Sequence, residues 1–479
     1  MTSLYLAVLA ALAVFAAHRL ILVAAFWRRA RARAAAPPPL PDELPHVTVQ
    51  LPLFNELYVA GRLIDAAAAL DWPRDRLEIQ ILDDSTDETR RLCAARAAAL
   101  RARGHDVVHL HRRDRAGYKA GALAAGLARA RGELVLVLDA DFVPPPDLLR
   151  RTVGHFRDPA VGMVQVRWEH LNRDYSALTR VQAMLLDGHF VVEQQVRASS
   201  GRFFNFNGTA GIWRRAAIDD AGGWHCDTLT EDLDLSYRAL LRGWRFVYLL
   251  DTAAPAELPV DINAFKAQQF RWAKGSIQVA RKLLPRVLRA RLPLAVKADA
   301  LLHLTQNLPY LLTLALALVV VPALLAGPPT ERAADLALVV GTVGTLAAYC
   351  LTSQWVVRRA HPLGVLIRLP ALIAITAGIC VSQARAVLEA LAGRPSEFIR
   401  TPKHGIVAGG QPWRHKRYRG ARTLVPLAEL ALALYFAAAL ALVLRERLWY
   451  AAPICGLFAA GFAYVGLGSI LPKKQATRR

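Results

Sequence analysis

Apolar sequence in this chain is gathered into two blocks, one near the N-terminus and one filling the last third, with ordinary globular composition between them. That arrangement excludes a single soluble globule and calls for a membrane part and a folded part outside it. Leu4 to Trp27 is nearly all apolar and runs into Arg28, Arg29, Arg31 and Arg33. A cleaved signal peptide carries its charges ahead of the apolar run, so this order predicts a signal-anchor helix with its C-terminal end in the cytosol. Ala34 to Pro45 reads as an Ala/Pro linker. Later apolar stretches cover Leu304–Ala326, Ala334–Val357, Leu363–Leu391, Thr423–Leu444 and Trp449–Leu471. Each is near or above the length of about 20 residues that crosses a bilayer. If all of them crossed, Arg394–Arg422 would lie outside, carrying Arg394, Arg400, Lys403, Arg414, Lys416, Arg417, Arg419 and Arg422 against Glu397. The positive-inside rule opposes that placement. Leu363–Leu391 also contains Arg368, Arg385 and Glu389, and reads as an interfacial or re-entrant helix. Five spans then keep the basic loop and the tail, with Lys473, Lys474, Arg478 and Arg479, in the cytosol. The expected division is residues 1–28 anchor, 29–45 linker, 46–295 cytosolic domain with a membrane-surface helix, and 296–479 membrane region with the interfacial helix 363–391 and a loop 393–422.

The formal charge of +22 admits nucleic acid, a membrane surface or an anionic substrate as partner. Here Lys and Arg crowd the ends of the apolar segments, which favours anchoring to anionic lipid. No zinc-finger spacing or RNA-binding signature is present, so nucleic acid is not expected as a partner. The five cysteines are odd in number and scattered without C-x-x-C, which predicts neither disulfides nor zinc and a reducing compartment.

Within the globular stretch, Val47–Leu53, Leu77–Leu82, Val107–Leu110 and Leu134–Leu138 read as strands. Helices are predicted over Val59–Leu70, Glu88–Arg103 and Tyr118–Arg131. Strands alternating with helices predict an α/β domain with a parallel sheet covered on both faces. Ligands in such sheets bind beyond the carboxyl ends of the strands. Asp83-Asp84-Ser85 and Asp139-Ala140-Asp141 end two different strands and so share one rim. Neither G-x-G-x-x-G nor the P-loop pattern occurs, which leaves dinucleotide and P-loop readings unsupported.

The chemistry follows from the residue types. Asp139 and Asp141 flank one small residue at a strand end, where both carboxylates can face a hard cation such as Mg²⁺ or Mn²⁺. Such a cation would neutralise a departing diphosphate. Asp84 is the better of the Asp83-Asp84 pair for a nucleotide contact, while Ser85, Thr86 or Asp87 can cap the next helix. Thr230-Glu231-Asp232 precedes an amphipathic helix whose dipole favours acids there. Asp232 suits a general base taking the proton of an acceptor hydroxyl as its oxygen attacks an anomeric carbon. Gln268, Arg271 and Trp272 lie on a long helix with Lys266, Lys274, Arg281 and Lys282, a pattern for the membrane surface. Arg271 can meet a diphosphate and Trp272 can floor a sugar ring. Lys119, near a helix start in Gly117-Tyr118-Lys119-Ala120-Gly121, can supply a second phosphate contact.

Asp84, Asp139-Ala140-Asp141, Thr230-Glu231-Asp232 and Gln268…Arg271-Trp272 together resemble glycosyltransferase family 2 in its processive, membrane-embedded branch. The stretches QILDDSTDET, GYKAGAL, LDADF, FNFNGTAGIWR and AGGW are most similar to cellulose-synthase-like A mannan synthases and their bacterial relatives. The resemblance implies a GT-A fold inserted in a helical membrane domain, a divalent metal, inversion and a glycan channel. It implies that Leu51–Glu56 is a nucleotide-contacting loop, with Asn55 and Glu56, and that Asp83, Asp139 and Gln268 join in donor binding. Glu231 joins Asp232 in the catalytic motif, and Asn205, Asn207 and Trp224 fall in motifs that line the acceptor end. Phe398, Arg400, Thr401 and Lys403 look like the mobile gating loop of bacterial cellulose synthase, with Arg400 in place of a valine. Phe203, Phe204 and Phe206 are expected in the core beside strands, and Gln306, Asn307 and Tyr310 toward a channel. The expectation is an inverting hexosyltransferase that polymerises mannose from GDP-mannose or glucose from UDP-glucose into a β-1,4-glycan and carries it across the membrane. A single-transfer enzyme that glycosylates a lipid is the alternative. Either would sit in the cytoplasmic membrane of a bacterium, or a Golgi-type membrane of a eukaryote, with its catalytic domain in the cytosol.

Overall fold

A computed structural model describes residues 2–29, 38–326, 332–407, 411–413, 416 and 423–471. Arg31, Arg33, the first part of the expected linker, Arg414, Arg417, Arg419, Arg422, Lys473, Lys474, Arg478 and Arg479 lie outside the described residues.

The globular stretch builds a seven-stranded sheet. Its strands are β1 (Val47–Leu53), β2 (Leu77–Asp83), β3 (Asp106–His111), β4 (Leu134–Val137), β5 (Val161–His170), β6 (Gly211–Arg214) and β7 (Arg245–Ala256). They lie side by side in the order β3-β2-β1-β4-β6-β5-β7. β1 covers the predicted residues, and β2 is buried at every position, as a strand covered on both faces must be. Alternation splits β4 between two cores: Leu134 and Leu136 face one, Val135 and Val137 the other. Helices Ala60–Ala68 and Thr89–Ala102 cover the first face, and Tyr118–Leu127 and Glu231–Leu241 the second.

The sheet is mixed rather than all parallel. β6 runs antiparallel to both β4 and β5, while β5 pairs parallel with β7. The cause is local. The chain enters β6 from the loop 203–210, which is pinned at the carboxyl end of β4 by Asp139 N–H donating to Thr209 Oγ1 at 2.8 Å and Ala210 N–H to Val137 O at 2.9 Å. A strand that starts at that rim can only run away from it. Phe203, Phe204 and Phe206 belong to this loop, not to a strand, yet all are buried as expected.

Among the described residues, three helices are long and apolar enough to cross a membrane: Ser3–Arg29, Val425–Arg445 and Ala452–Ile470. Two bent pairs reach that measure only if each counts as one span: Leu294–Leu304 with Leu308–Ala323, bent by 58°, and Pro362–Gly378 with Cys380–Leu391, bent by 45°. A helix also forms over Arg332–Arg358.

The basic helix Ile262–Arg289 joins the two parts. Two of its lysines are buried rather than solvated. Lys266 Nζ meets Glu429 at 2.6 Å, and Lys274 Nζ meets Glu389 at 2.8 Å. Burying an ammonium demands such a partner, so these pairs fix the helix against the apolar bundle. Gly275 lets the same helix close on the other side, since a Cβ there would lie 2.5 Å from Thr230. All five cysteines are free, four of them buried and Cys226 exposed.

Candidate functional site

The carboxyl ends of the strands open into a cavity of about 160 Å³. Asp84, Asp139, Asp141, Glu231, Asp232, Lys119, Gln268, Arg271 and Trp272 all line it. Only one of two consecutive strand-end aspartates can face it, because successive side chains point to opposite faces. Asp84 does. Asp83 turns away and accepts from His109 Nε2 at 3.0 Å and Ser85 N–H at 2.8 Å. Asp83 thus braces the loop and does not line the cavity, contrary to the donor contact expected of it. Asn55 does not line it either. Its φ of 55° and its bonds to Ser85 Oγ and Thr86 N–H lock the β1 loop to the β2 loop. Asp87 Oδ1 accepts from Thr89 N–H at 2.9 Å just ahead of the next helix, whose N-cap is Glu88 rather than Ser85, Thr86 or Asp87.

The acids of the cavity are met by cations from distant parts of the chain. Lys119 Nζ lies 2.6 Å from Asp139 Oδ1 and 3.6 Å from Glu231 Oε1, and donates to Gly208 O at 2.8 Å. Burial disfavours its charge, but Asp139 and Glu231 outweigh burial and hold the ammonium above its ordinary pKa. Lys403 Nζ donates to Asp141 Oδ2 at 2.7 Å and to Glu257 O. Arg400 reaches Glu56 at 3.1 Å. Burial pushes Glu56 up to about 8, with Arg400 opposing. Phe398 stacks on Tyr118 with ring centroids 6.0 Å apart, and Arg271 donates to Ile399 O at 2.8 Å. The segment 398–404 therefore lies in the cavity, and Phe398, Arg400, Thr401 and Lys403 all line it.

Asp232 sits in the first turn of helix Glu231–Leu241 with Glu231 and Asp234, where the dipole favours acids. Its Oδ1 accepts from Leu233 N–H at 2.8 Å. A Cβ on Gly208 would lie 3.0 Å from its Oδ2, and Gly208 has φ +81, so glycine answers both the close approach and the backbone. Burial and the neighbouring Glu231 push the Asp232 carboxyl up to about 7. Such a group exchanges a proton near neutrality.

A second cavity, of about 520 Å³, runs from here into the apolar helices. Asp232, Thr230, Asn207, Gln268 and Trp272 line both cavities. Gln306, Asn307 and Tyr310 line the second, as expected of channel-facing polar groups. Asn205 also lines it, but Trp224 lines neither. Trp224 is packed against Phe206 and Trp213 in the core, which removes it from the acceptor end. A tryptophan in the loop ahead of helix Glu231–Leu241 carries no sign in the sequence of which side it faces.

The structure adds Trp168, His170, Arg115 and Glu257 to the first cavity. His170 ends β5, and Glu257 follows β7. The strand-end reasoning that found Asp84 and Asp139 would have found both, had those strands been assigned.

A divalent cation can be tested against the donor set. Asp139 and Asp141 offer hard oxygen ligands, and each already holds an ammonium, at 2.6 and 2.7 Å. Cations belong at both carboxylates, so the pair fits Mg²⁺ or Mn²⁺. Elsewhere among the described residues His225, Asp227 and Asp234 approach one another closely. Lys282 lies 2.8 Å from both carboxylates there, so that group carries its own cation.

A mixed sheet with an acidic rim at the carboxyl ends of its strands, flanked by membrane-type helices, is a GT-A fold set on a helical base. Residues 45–275 match the family described as glycosyltransferase like family 2, and this stretch is a domain of that family. Glucomannan 4-beta-mannosyltransferase 2 of Arabidopsis thaliana is 45% identical over 281 residues, 56% of this chain and 53% of the relative. Glucomannan 4-beta-mannosyltransferase 1 of Oryza sativa subsp. japonica is 43% identical over 264 residues, 52% of this chain and 51% of the relative. The chain thus spans about half the length of these curated relatives. Among solved structures, the mannosyltransferase PcManGT from Pyrobaculum calidifontis, in complex with GDP-Man and Mn2+, shares the fold. It is 24% identical with a TM-score of 0.54, covering 74% of this chain and 100% of that one.

Proposed function

We propose that this chain is a membrane-embedded, inverting hexosyltransferase that moves mannose from GDP-mannose onto the end of a β-1,4-linked mannan or glucomannan. The observation that carries the reading is the junction of two cavities at Asp232. A donor in the first and a chain end in the second would meet at that carboxylate. The names of the curated relatives favour mannose and the 4-linkage.

In this reading Asp232 accepts the proton of the acceptor hydroxyl. That oxygen forms a bond to the anomeric carbon while the bond from that carbon to the diphosphate breaks, and attack from the opposite face turns an α donor into a β product. Glu231 keeps Asp232 a strong enough base, and Lys119 and Arg271 meet the diphosphate. Asp84 and Glu56 contact the nucleotide side, Gln268 the sugar diphosphate, and Trp272 floors the acceptor ring. Asp139 and Asp141 would hold Mg²⁺ or Mn²⁺, which supplies charge neutralisation on the leaving diphosphate. Segment 398–404 covers the donor, and its Lys403 holds the Asp141 carboxylate that would otherwise serve the metal.

The five-span topology, with 363–391 interfacial, belongs to the same proposal. Arg400 and Lys403 contact the sheet domain, and Lys416 Nζ stands 4.7 Å over the Tyr58 ring, which supports putting the basic loop on the domain's cytosolic side. The second cavity would guide the growing glycan through the helices.

A donor screen with the purified full chain in detergent tests the reading. GDP-mannose with Mn²⁺ or Mg²⁺ is expected to give the fastest metal-dependent release of nucleoside diphosphate. Turnover of UDP-glucose alone would overturn the choice of sugar.

A further inference from the structure

The segment after helix Ala177–Gly188 widens into one π-helical stretch, His189–Gln194, before helix Gln195–Ser199 resumes. Such widenings are rare and gather at functional sites. Its side chains form a hydrogen-bond chain whose direction can be worked out atom by atom. Asn205 O can only accept, so the group that reaches it at 2.9 Å is the Gln194 amide N–H₂. The same nitrogen reaches Asn207 at 2.6 Å, which makes that atom Asn207 Oδ1. Asn207 Nδ2 then faces His189 Nε2 at 3.0 Å and must donate to it. His189 therefore carries its proton on Nδ1, which donates to Glu193 Oε2 at 3.2 Å. Glu193 also accepts from Arg197 at 3.3 Å and, through Oε1, from Tyr349 OH at 2.9 Å.

Tyr349 belongs to helix Arg332–Arg358, outside the sheet domain. Its approach depends on Gly188, where a Cβ would lie 2.0 Å from the Tyr349 ring. Asn207 is thus held at three points: by Gln194, by His189, and by its own N–H donating to Gln165 Oε1 at 3.0 Å. The amide keeps one N–H and one lone pair beyond these bonds. Asn207 lines both cavities, His189 and Glu193 only the second, and the next residue, Gly208, abuts Asp232. One free donor beside one free acceptor matches a sugar hydroxyl, which gives one hydrogen bond and takes another.

We propose that His189, Glu193 and Tyr349 are positioning residues that aim the acceptor-end Asn207 amide at a hydroxyl of the terminal sugar and tie that contact to helix Arg332–Arg358. The inference rests on the hexosyltransferase reading above. It explains why a glutamate, a histidine and a tyrosine are gathered along the second cavity without lining the first.

The test uses the purified full chain with GDP-mannose as donor and β-1,4-mannotetraose as added acceptor. His189→Ala is expected to raise the acceptor KM about tenfold, the loss of one well-aimed hydrogen bond, with GDP-mannose affinity unchanged. His189→Gln, whose amide oxygen can take the Asn207 N–H, should recover most of it. Tyr349→Phe removes only one hydroxyl, so it serves if His189→Ala folds poorly, and should raise the acceptor KM in the same direction. An unchanged acceptor KM in both His189→Ala and Tyr349→Phe, or equal losses of donor and acceptor affinity, would overturn the proposal. The donor screen fails on the unmodified chain, whereas this experiment fails on the variants, so the two failures are distinct.

Discussion

Asp232→Asn is expected to slow sugar transfer about 10³-fold while GDP-mannose still binds, the scale of losing a positioned base. That factor corresponds to about 4 kcal/mol of barrier. The substitution keeps size and the hydrogen bond from Leu233 N–H, so folding should survive and the effect should read as chemistry. The pH dependence gives a second view of the same group. Burial and Glu231 push Asp232 up to about 7, so below that pH most molecules hold the proton and have no carboxylate free to take another. The rate should climb about tenfold per pH unit toward 7 and level off above it, and that limb should vanish in the variant. Full activity in Asp232→Asn, or a flat profile below pH 7 in the unmodified chain, would remove Asp232 as the base.

Chelation is the other large effect. EDTA is expected to cut transfer by at least about 10²-fold, with Mn²⁺ or Mg²⁺ restoring it, because the leaving diphosphate gains negative charge that Lys119 and Arg271 only partly answer. A unit charge about 4 Å away is worth about 4 kcal/mol at an effective dielectric near 20, so a missing divalent ion outweighs either side chain. Asp141→Asn should need more metal for half-maximal rate, and it also removes the anchor of Lys403. Rates indifferent to EDTA would undo the role given to Asp139 and Asp141.

Much of this site was legible in the sequence because it is local. A buried strand ending in acids announces itself within a few residues, as β2 does with Asp84 and β4 with Asp139. Pairings across long separations leave no such mark. Lys403 on Asp141 joins residues 262 positions apart, and no periodicity encodes it. β5 hid because Arg167, Glu169 and His170 interrupt its apolar run, and β6 because it is only 4 residues long. With both unassigned, the antiparallel turn in the sheet and His170 stayed hidden too, and Glu257 stayed hidden behind the equally unassigned β7. Asp83 shows the finer limit. Two adjacent aspartates look equivalent in a motif, and only the alternation of the strand decides which faces the cavity. The roles of Lys266 and Lys274 were misleading for the opposite reason: a basic amphipathic helix reads as solvated or lipid-facing, yet two of its charges are neutralised inside the protein by Glu429 and Glu389.

The junction of the two cavities at Asp232 is the centre of the account, and the product tests it most directly. Purified chain supplied with radiolabelled GDP-mannose and Mn²⁺ should yield alcohol-insoluble label that endo-β-1,4-mannanase converts to short oligosaccharides. A product carrying a single hexose on a lipid, with no longer chains at any donor concentration, would contradict it.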